Sequence, residues 1–252
     1  MFTLDNKVAL ITGGNKGIGL GMACGLAKAG ASVAIAGRNE EVNEQAAETL
    51  RELGAEAMPI ALDVTNAGAI TEAVEAVVSH WGHLDILVNN AGMTVRGRPE
   101  DLAEEDWHTV MDTNVTSAFL CSKACYPHLK SGGGGKVLNC GSMYSVFASE
   151  WVPAYAASKG AMVQLTKSAA VAWAKDNIQV NCFLPGWIDT DLTRRARSGS
   201  PELHQRIEDR IPTGRWGEPK DLEGIAVFLA SPASDYITGA SIPIDGGFSA
   251  FG

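Results

Sequence analysis

Short apolar runs and longer amphipathic stretches alternate along nearly the whole chain. The runs are VALIT (8–12), SVAIA (32–36), AMPIAL (57–62), DILVN (85–89), KVLNC (136–140), IQVNCFL (178–184) and SIPI (241–244). They are almost continuous in hydrophobicity, as strands buried on both faces should be. Between them the spacing turns helical. Ile70, Val74, Val77, Val78 and Trp81 share one helical face, and so do Leu222, Ile225, Ala226 and Leu229. Strand–helix alternation repeated this often predicts an α/β fold: a doubly wound parallel sheet with helices on both faces.

No linker divides the pattern, so one domain over residues 1–252 is expected. SGGGG (131–135) is short and leads into a strand, which makes it a loop. The charged segment 190–217 does interrupt the alternation. Within it, Ser200-Pro201 has the form of an N-cap and first helical residue. Lying after the sixth strand, the segment is expected either to cover a ligand crevice or to form a plain surface helix.

Composition narrows the partners. The 252 residues are 46% hydrophobic and 19% charged, ordinary for a globular protein with a sizeable core. A formal net charge of −9 argues against a nucleic-acid partner. The densest basic cluster, Arg194, Arg195 and Arg197 beside Ser198-Gly199-Ser200, suits a solvated helix end. No apolar stretch approaches the roughly 18 residues of a membrane span, and the first residues lack a signal-peptide pattern. No membrane partner and a cytoplasmic location are expected. The five cysteines are odd in number and form no CxxC, so they are expected to be reduced thiols. Cys121 and Cys125 are one helical turn apart without other ligands at metal-binding spacing, so no metal is expected.

The candidate chemistry begins at TGGNKGIG (12–19), which follows the first strand directly and opens a helix. Gly13, Gly17 and Gly19 would let backbone amides approach a pyrophosphate at a helix N-terminus. A tight turn without a ligand is the alternative. About 20 residues on, a carboxylate would grip the ribose 2′-hydroxyl of NAD. Gly37, Arg38 and Asn39 stand there instead. Gly37 leaves room for a 2′-phosphate, Arg38 would bind it, and Lys16 adds a second cation. NADP is therefore expected over NAD, with NAD possible. The bland alternative makes Arg38 a solvated loop charge. In YAASK (155–159) a phenol and an ammonium lie one helical turn apart, on one face. A cation there would favour the phenolate and bring it nearer the working range of an acid–base. On the pentapeptide alone, an ordinary surface pair explains it equally well.

TGGNKGIG, NNAG (89–92), Asn114, Ser142 within GSMYS, YAASK and PGWIDT (185–190) stand in a characteristic order and spacing. In these the chain resembles the short-chain dehydrogenase/reductase family over essentially its whole length, down to DGG at 245–247. The resemblance implies a Rossmann fold with a seven-stranded parallel sheet. It also implies hydride transfer between a nicotinamide cofactor and a ketone–alcohol pair, and usually a homotetramer. It gives Tyr155 the role of acid–base. Lys159 would tune it and hold the nicotinamide ribose, Ser142 would hold the substrate oxygen, and Asn114 would support a water chain to Lys159. It assigns Asn15, Lys16, Ile18, Asp63, Val64, Asn90, Ala91, Gly92, Pro185, Gly186, Ile188 and Thr190 to the cofactor, with Asp63 at the adenine. Asn89 is expected to brace the sheet.

Arg96, Trp187 and RIPTGRWGEP (210–219) resemble the gluconate 5-dehydrogenase and 2-deoxygluconate dehydrogenase branch. A sugar acid needs a cation for its carboxylate, and Arg96 would supply it. The alternatives for Arg96 are solvent, or a pair with Glu100 or Asp101. Val95 departs from the branch, where a second arginine often stands. Met143, Tyr144, Trp151 and Trp187 are expected to form an aromatic pocket, which also suits cyclic or bulky ketones. Two further readings are a 3-oxoacyl-carrier-protein reductase and a non-catalytic nucleotide-sensing or scaffold protein. The intact Asn114, Ser142, Tyr155 and Lys159 set disfavours the latter.

Overall fold

A computed structural model describes residues 1–191, 193–194 and 201–251. The seven apolar runs form β1 (Val8–Thr12), β2 (Ser32–Gly37), β3 (Ala57–Ala61), β4 (Ile86–Asn89), β5 (Gly135–Cys140), β6 (Ile178–Pro185) and β7 (Ser241–Ile244). They make one sheet in the order β3-β2-β1-β4-β5-β6-β7, parallel at every pairing. Strand limits shift from the expected ones by a residue, for local reasons. Asp85 stays outside β4 because its carboxylate accepts the Val8 N–H at 2.9 Å and pairs with Lys7 at 2.8 Å. Pro59 is tolerated because β3 is an edge strand.

The helices are α1 (Gly17–Lys28), α2 (Glu40–Glu52), α3 (Ala67–Trp81), α4 (Glu104–Met111), α5 (Ser117–Ser131), α6 (Pro153–Trp173), α7 (Pro201–Arg210) and α8 (Glu223–Ala230). Their ends follow side-chain chemistry. The Asn39 side chain accepts the Val42 N–H to start α2, and Asn66 accepts from Gly68 and Ala69 to start α3. Gly82, at φ 84°, stops α3.

Successive residues of β1 point to opposite faces. Ala9 and Ile11 join one core with Met22 and Leu26 of α1 and Leu229 of α8. Val8 and Leu10 join a second with Val74 and Val77 of α3 and Cys121, Cys125 and Leu129 of α5. A third cluster lies beyond the carboxyl ends of β5 and β6, where Met143, Cys182 and Leu184 meet Ile207, Ile211, Trp216 and Phe248. Ile207 and Ile211 anchor the end of α7 there, and Arg210 stacks on Phe248 at 4.3 Å and Phe147 at 5.5 Å. The expected N-cap Ser200, with Arg195, Arg197 and Ser198-Gly199, lies outside the described residues. Among the described residues, no helix is long and apolar enough to cross a membrane. The strand order reverses beside β1, between β2 and β4, which opens a crevice at the carboxyl ends of these strands.

Candidate active site

The glycine turn closes that crevice from below. Gly13 (φ 62°) and Gly17 (φ 55°) adopt left-handed backbone. A Cβ on Gly19 would lie 2.3 Å from the Gly13 carbonyl oxygen, and one on Gly13 3.0 Å from Ala91 Cα. One on Gly17 would lie 3.2 Å from Thr190 Cγ2. The glycines therefore let three loops meet: TGGNKGIG, NNAG and the segment after β6. Thr12 Oγ1 accepts N–H bonds from Asn90 at 3.1 Å and Ala91 at 3.2 Å, and Asn90 Nδ2 donates to the Gly13 carbonyl at 2.9 Å. Helix α1 starts from an extended Lys16, with no side-chain cap and no acid in its first turn. Its free N–H groups and positive dipole end suit a pyrophosphate.

At the end of β2, Gly37 carries no side chain and Arg38 is exposed. The Asn39 side chain is occupied in capping α2. Asp63 accepts from the Thr65 N–H at 3.0 Å and hydroxyl at 2.7 Å. Those bonds, with a contribution from Arg38, hold its carboxyl below the usual range. Val64 beside it is buried. The structure thus brings Asp63 near Arg38, at the far end of the crevice from the catalytic group.

Lys159, only 3% exposed, lies one turn after Tyr155 in α6, with Nζ 5.5 Å from the Tyr155 ring centre. Nζ donates to the Cys140 carbonyl at the end of β5, at 2.7 Å. Burial opposes its charge most strongly. The neighbouring Cys140, Tyr155 and Cys182 act the other way, and its pKa stands above the ordinary value. A lysine so placed is an ammonium near neutral pH. Ser142 caps a short helical turn, its Oγ accepting the Tyr144 N–H at 3.2 Å. Ser145 Oγ ties that turn to the Lys159 carbonyl at 2.7 Å.

Asn114 sits in a π-helical turn, Asp112–Thr116, between α4 and α5. Such turns widen the helical ladder and recur at functional sites. Both donors of its buried amide are engaged: Nδ2 donates to the Met93 carbonyl and to Ser158 Oγ, each at 2.9 Å, and Oδ1 accepts the Met93 N–H at 2.8 Å. A Cβ on Gly92 would stand 3.3 Å from Asn114 Oδ1 and 3.6 Å from Lys159 Nζ. Asn114, Gly92, Ser142, Tyr155 and Lys159 therefore converge on one wall. Asn89 braces the sheet, donating to Ser122 Oγ at 2.9 Å and Asn139 Oδ1 at 2.8 Å.

The opposite wall is aromatic. Tyr144 meets Tyr155 edge-on at 6.1 Å and Trp187 at 6.4 Å, and Trp187 meets Trp216 at 5.4 Å. Burial pushes the Tyr144 phenol pKa up, with a Ser149 hydrogen bond and the Arg96 charge acting against it. Trp151 departs from this row and stacks under Arg96 at 4.9 Å and Arg98 at 5.8 Å. Arg98, not Arg96, takes Glu100 at 2.8 Å and Glu150 at 3.3 Å. Met143, expected to line the pocket, belongs to the core beneath it at 6% exposure. Pro185 ends β6; a Cβ on the next residue, Gly186, would strike Asp245, and Ile188 is buried against Gly217. Among the described residues no cluster of three or more His, Cys, Asp or Glu is placed to hold a metal ion.

Two residues escaped the sequence reading. Trp216 completes the aromatic row. Asn43 is wholly buried beneath the end of β2, and its signal was its place in the stripe Asn43, Ala46, Ala47 and Leu50, a polar residue on an otherwise apolar helix face.

Comparison with known proteins agrees with this geometry. A family model described as enoyl-(acyl carrier protein) reductase matches residues 13–249. The 2-dehydro-3-deoxy-D-gluconate 5-dehydrogenase of Escherichia coli K12 is 42% identical, covering 99% of this chain and 98% of that protein. The gluconate 5-dehydrogenase of Gluconobacter oxydans is 37% identical over 99% of this chain and 97% of its own. The crystal structure of a gluconate 5-dehydrogenase from Burkholderia cenocepacia, in complex with NADP and tartrate, superposes with a TM-score of 0.94 at 38% identity, covering 99% and 97% of the two chains. With its glycine turn, its Asn114, Ser142, Tyr155 and Lys159 wall and these relatives, the chain belongs to the short-chain dehydrogenase/reductase family, as an oxidoreductase acting on CH–OH and C=O groups.

Proposed function

We propose that the protein is an NADP-preferring oxidoreductase that interconverts a keto sugar acid and the corresponding secondary alcohol. The observation that carries the substrate class is Arg96: it stands on Trp151 at the crevice mouth, with no carboxylate partner among the described residues. The tartrate and NADP in the Burkholderia enzyme support both halves of the proposal, since tartrate is a hydroxylated dicarboxylate.

The dinucleotide, when bound, supplies or accepts the hydride. The residues that would hold its phosphates are Gly13, Asn15, Lys16, Gly17, Ile18 and Gly19. Arg38 and Asn39 would flank the ribose 2′-position, with Asp63 and Val64 at the adenine. Asn90, Ala91, Gly92, Pro185, Gly186, Ile188 and Thr190 would line the nicotinamide end. The chain's own chemistry is proton handling. Tyr155 donates to the substrate oxygen in reduction and accepts from it in oxidation. Ser142 Oγ already accepts from Tyr144, so its hydrogen is left to donate to that same oxygen. Lys159 uses one of its three N–H donors on Cys140, leaving two for Tyr155 and ribose hydroxyls. Asn114, held by Met93 and Ser158, would support a water chain to Lys159. Arg96 fixes the substrate carboxylate by charge-assisted hydrogen bonds, and Tyr144, Trp151 and Trp187 bound the sugar chain.

The end of α7 and the residues up to 217 form a cover of this crevice, a role supported by Ile207, Ile211 and Trp216 packing beside Trp187. The whole chain acts as one domain. Copies assemble as a homotetramer in the cytoplasm, supported by the groove between α5 and α6, lined by Phe119, Tyr126, Leu165 and Trp173, and by five free thiols. Light scattering tests the assembly. A 3-oxoacyl-carrier-protein reductase is a second reading, but a net charge of −9 repels an acidic carrier.

The substrate class is tested by a panel followed through NADPH absorbance: keto sugar acids, a neutral cyclic ketone and a 3-oxoacyl thioester. The keto sugar acids should give the highest kcat/KM. A higher value for the neutral ketone or the thioester would replace this reading.

A further inference from the structure

Asn43 is 0% exposed, and its amide is bound on all sides. Nδ2 donates to the Gly37 carbonyl at 2.7 Å and to the Ile60 carbonyl at 2.8 Å, so it clips the ends of β2 and β3 together. Both acceptors are carbonyls, which fixes the amide's orientation: Oδ1 must face the other way. There it accepts Asn15 Nδ2 at 2.6 Å. Asn15 belongs to the glycine turn, so this bond ties the phosphate loop to the strand end that carries Arg38. The pair also fills space. A Cβ on Gly37 would stand 2.6 Å from Asn15 Nδ2 and 2.7 Å from Asn43 Oδ1. Gly37 does not adopt left-handed backbone, and the three nearest atoms that a Cβ there would meet all belong to this pair.

We propose that Asn43 is a positioning residue for cofactor choice, acting through Asn15, whose amide it holds over Gly37 in the space that a side chain at that position would need. The strand end is thereby kept bare, and no ribose-gripping carboxylate can be seated on it while the pair is intact. With Asn15 fixed, the glycine turn and Arg38 present one rigid surface to a 2′-phosphate. The proposal rests on the NADP preference advanced above.

The test reads binding rather than turnover. Calorimetric affinities of 2′,5′-ADP and 5′-AMP are measured for the wild type, Asn43→Ala, Asn15→Ala and Gly37→Ala, with the thermal midpoint of each. Asn43→Leu stands in should the alanine variant not fold. The wild type is expected to prefer 2′,5′-ADP. Each variant should lower that preference about five- to tenfold, the worth of one hydrogen-bonded contact, mainly by weakening 2′,5′-ADP. Gly37→Ala added to Asn43→Ala should cost less than about twofold more, because both disturb the same contact. A folded Asn43 variant with a lower midpoint but an unchanged 2′,5′-ADP to 5′-AMP ratio would make Asn43 a brace of the sheet only and overturn the proposal. A wild type without preference for 2′,5′-ADP would instead remove the NADP reading, and this proposal with it.

Discussion

The crevice has two ends built on different principles. At the cofactor end, backbone does the shaping. Gly13, Gly17 and Gly19 sit where a Cβ would strike the Gly13 carbonyl, Ala91 or Thr190, and amide bonds through Asn90, Asn15 and Asn43 lock the loops. At the substrate end, side chains do it. Tyr144, Trp187 and Trp216 come from three separate segments and meet edge-on over the third core cluster. The first end leaves little room for side chains. The second is a surface of large side chains, on which a new selectivity needs only new rings or charges. Tyr155 and Lys159 lie between them, and in the proposed mechanism they serve both.

The sharpest break in this comparison comes at the shared residue. Tyr155→Phe keeps the ring and its edge contact with Tyr144 but removes the proton. Loss of a general acid–base costs about 100- to 10,000-fold in kcat, while dinucleotide affinity by fluorescence titration should stay at the wild-type level. Near-normal turnover of a folded variant would take Tyr155 out of the chemistry.

The substrate end alone is addressed by Arg96→Ala. Its loss should lower kcat/KM for a keto sugar acid roughly ten- to a hundredfold, the worth of a charged hydrogen bond. For a neutral cyclic ketone kcat/KM should hardly change. Equal losses on both substrates would mean that Arg96 shapes the pocket through Trp151 rather than reading charge.

The cofactor end alone is addressed by Gly19→Ala. Its Cβ would meet the Gly13 carbonyl at 2.3 Å, backbone that cannot swing aside. Overpacking of this kind costs about 1–3 kcal/mol, which urea denaturation would register. Dinucleotide affinity should fall with it, while the aromatic row keeps its near-ultraviolet circular dichroism. An unchanged midpoint would mean that the turn has slack.

Thiol reactivity is the smallest expected effect. Burial pushes Cys121 and Cys182 up to about 12 and raises Cys125, Cys140 and Cys24, but Cys24 alone is not fully buried. The thiolate is the reactive form, so raised values mean little thiolate at pH 8. The native protein should expose at most Cys24 to a disulfide reagent at pH 8, and the denatured chain all five. Rapid modification of Cys140 would show that the wall beside Lys159 opens.

The two ends also differ in how far they can be read from sequence. Strand runs and the glycine turn were legible because buried parallel strands need continuous apolar residues, and close backbone approach needs glycine at fixed spacing. That Asn114, Ser142, Tyr155 and Lys159 belong together was legible through their place in motifs. Asn43 was not, since a single asparagine on a helix face does not announce which carbonyls it will meet across two strands. Met143 was misplaced because sequence cannot tell an apolar side chain that lines a pocket from one that lies under it. The π turn at Asn114 escaped because a widened turn leaves no mark on helical periodicity. Trp151 was expected beside Trp187, yet two arginines on a neighbouring loop drew it away.

The central claim is that a bare, amide-locked strand end beside Arg38 selects the 2′-phosphate. Its most direct test is the wild-type enzyme's kcat/KM with NADPH and with NADH on one keto sugar acid. A charge-assisted contact to the phosphate predicts a preference for NADPH of roughly ten- to a hundredfold. NADH used as well as NADPH, or better, would contradict it.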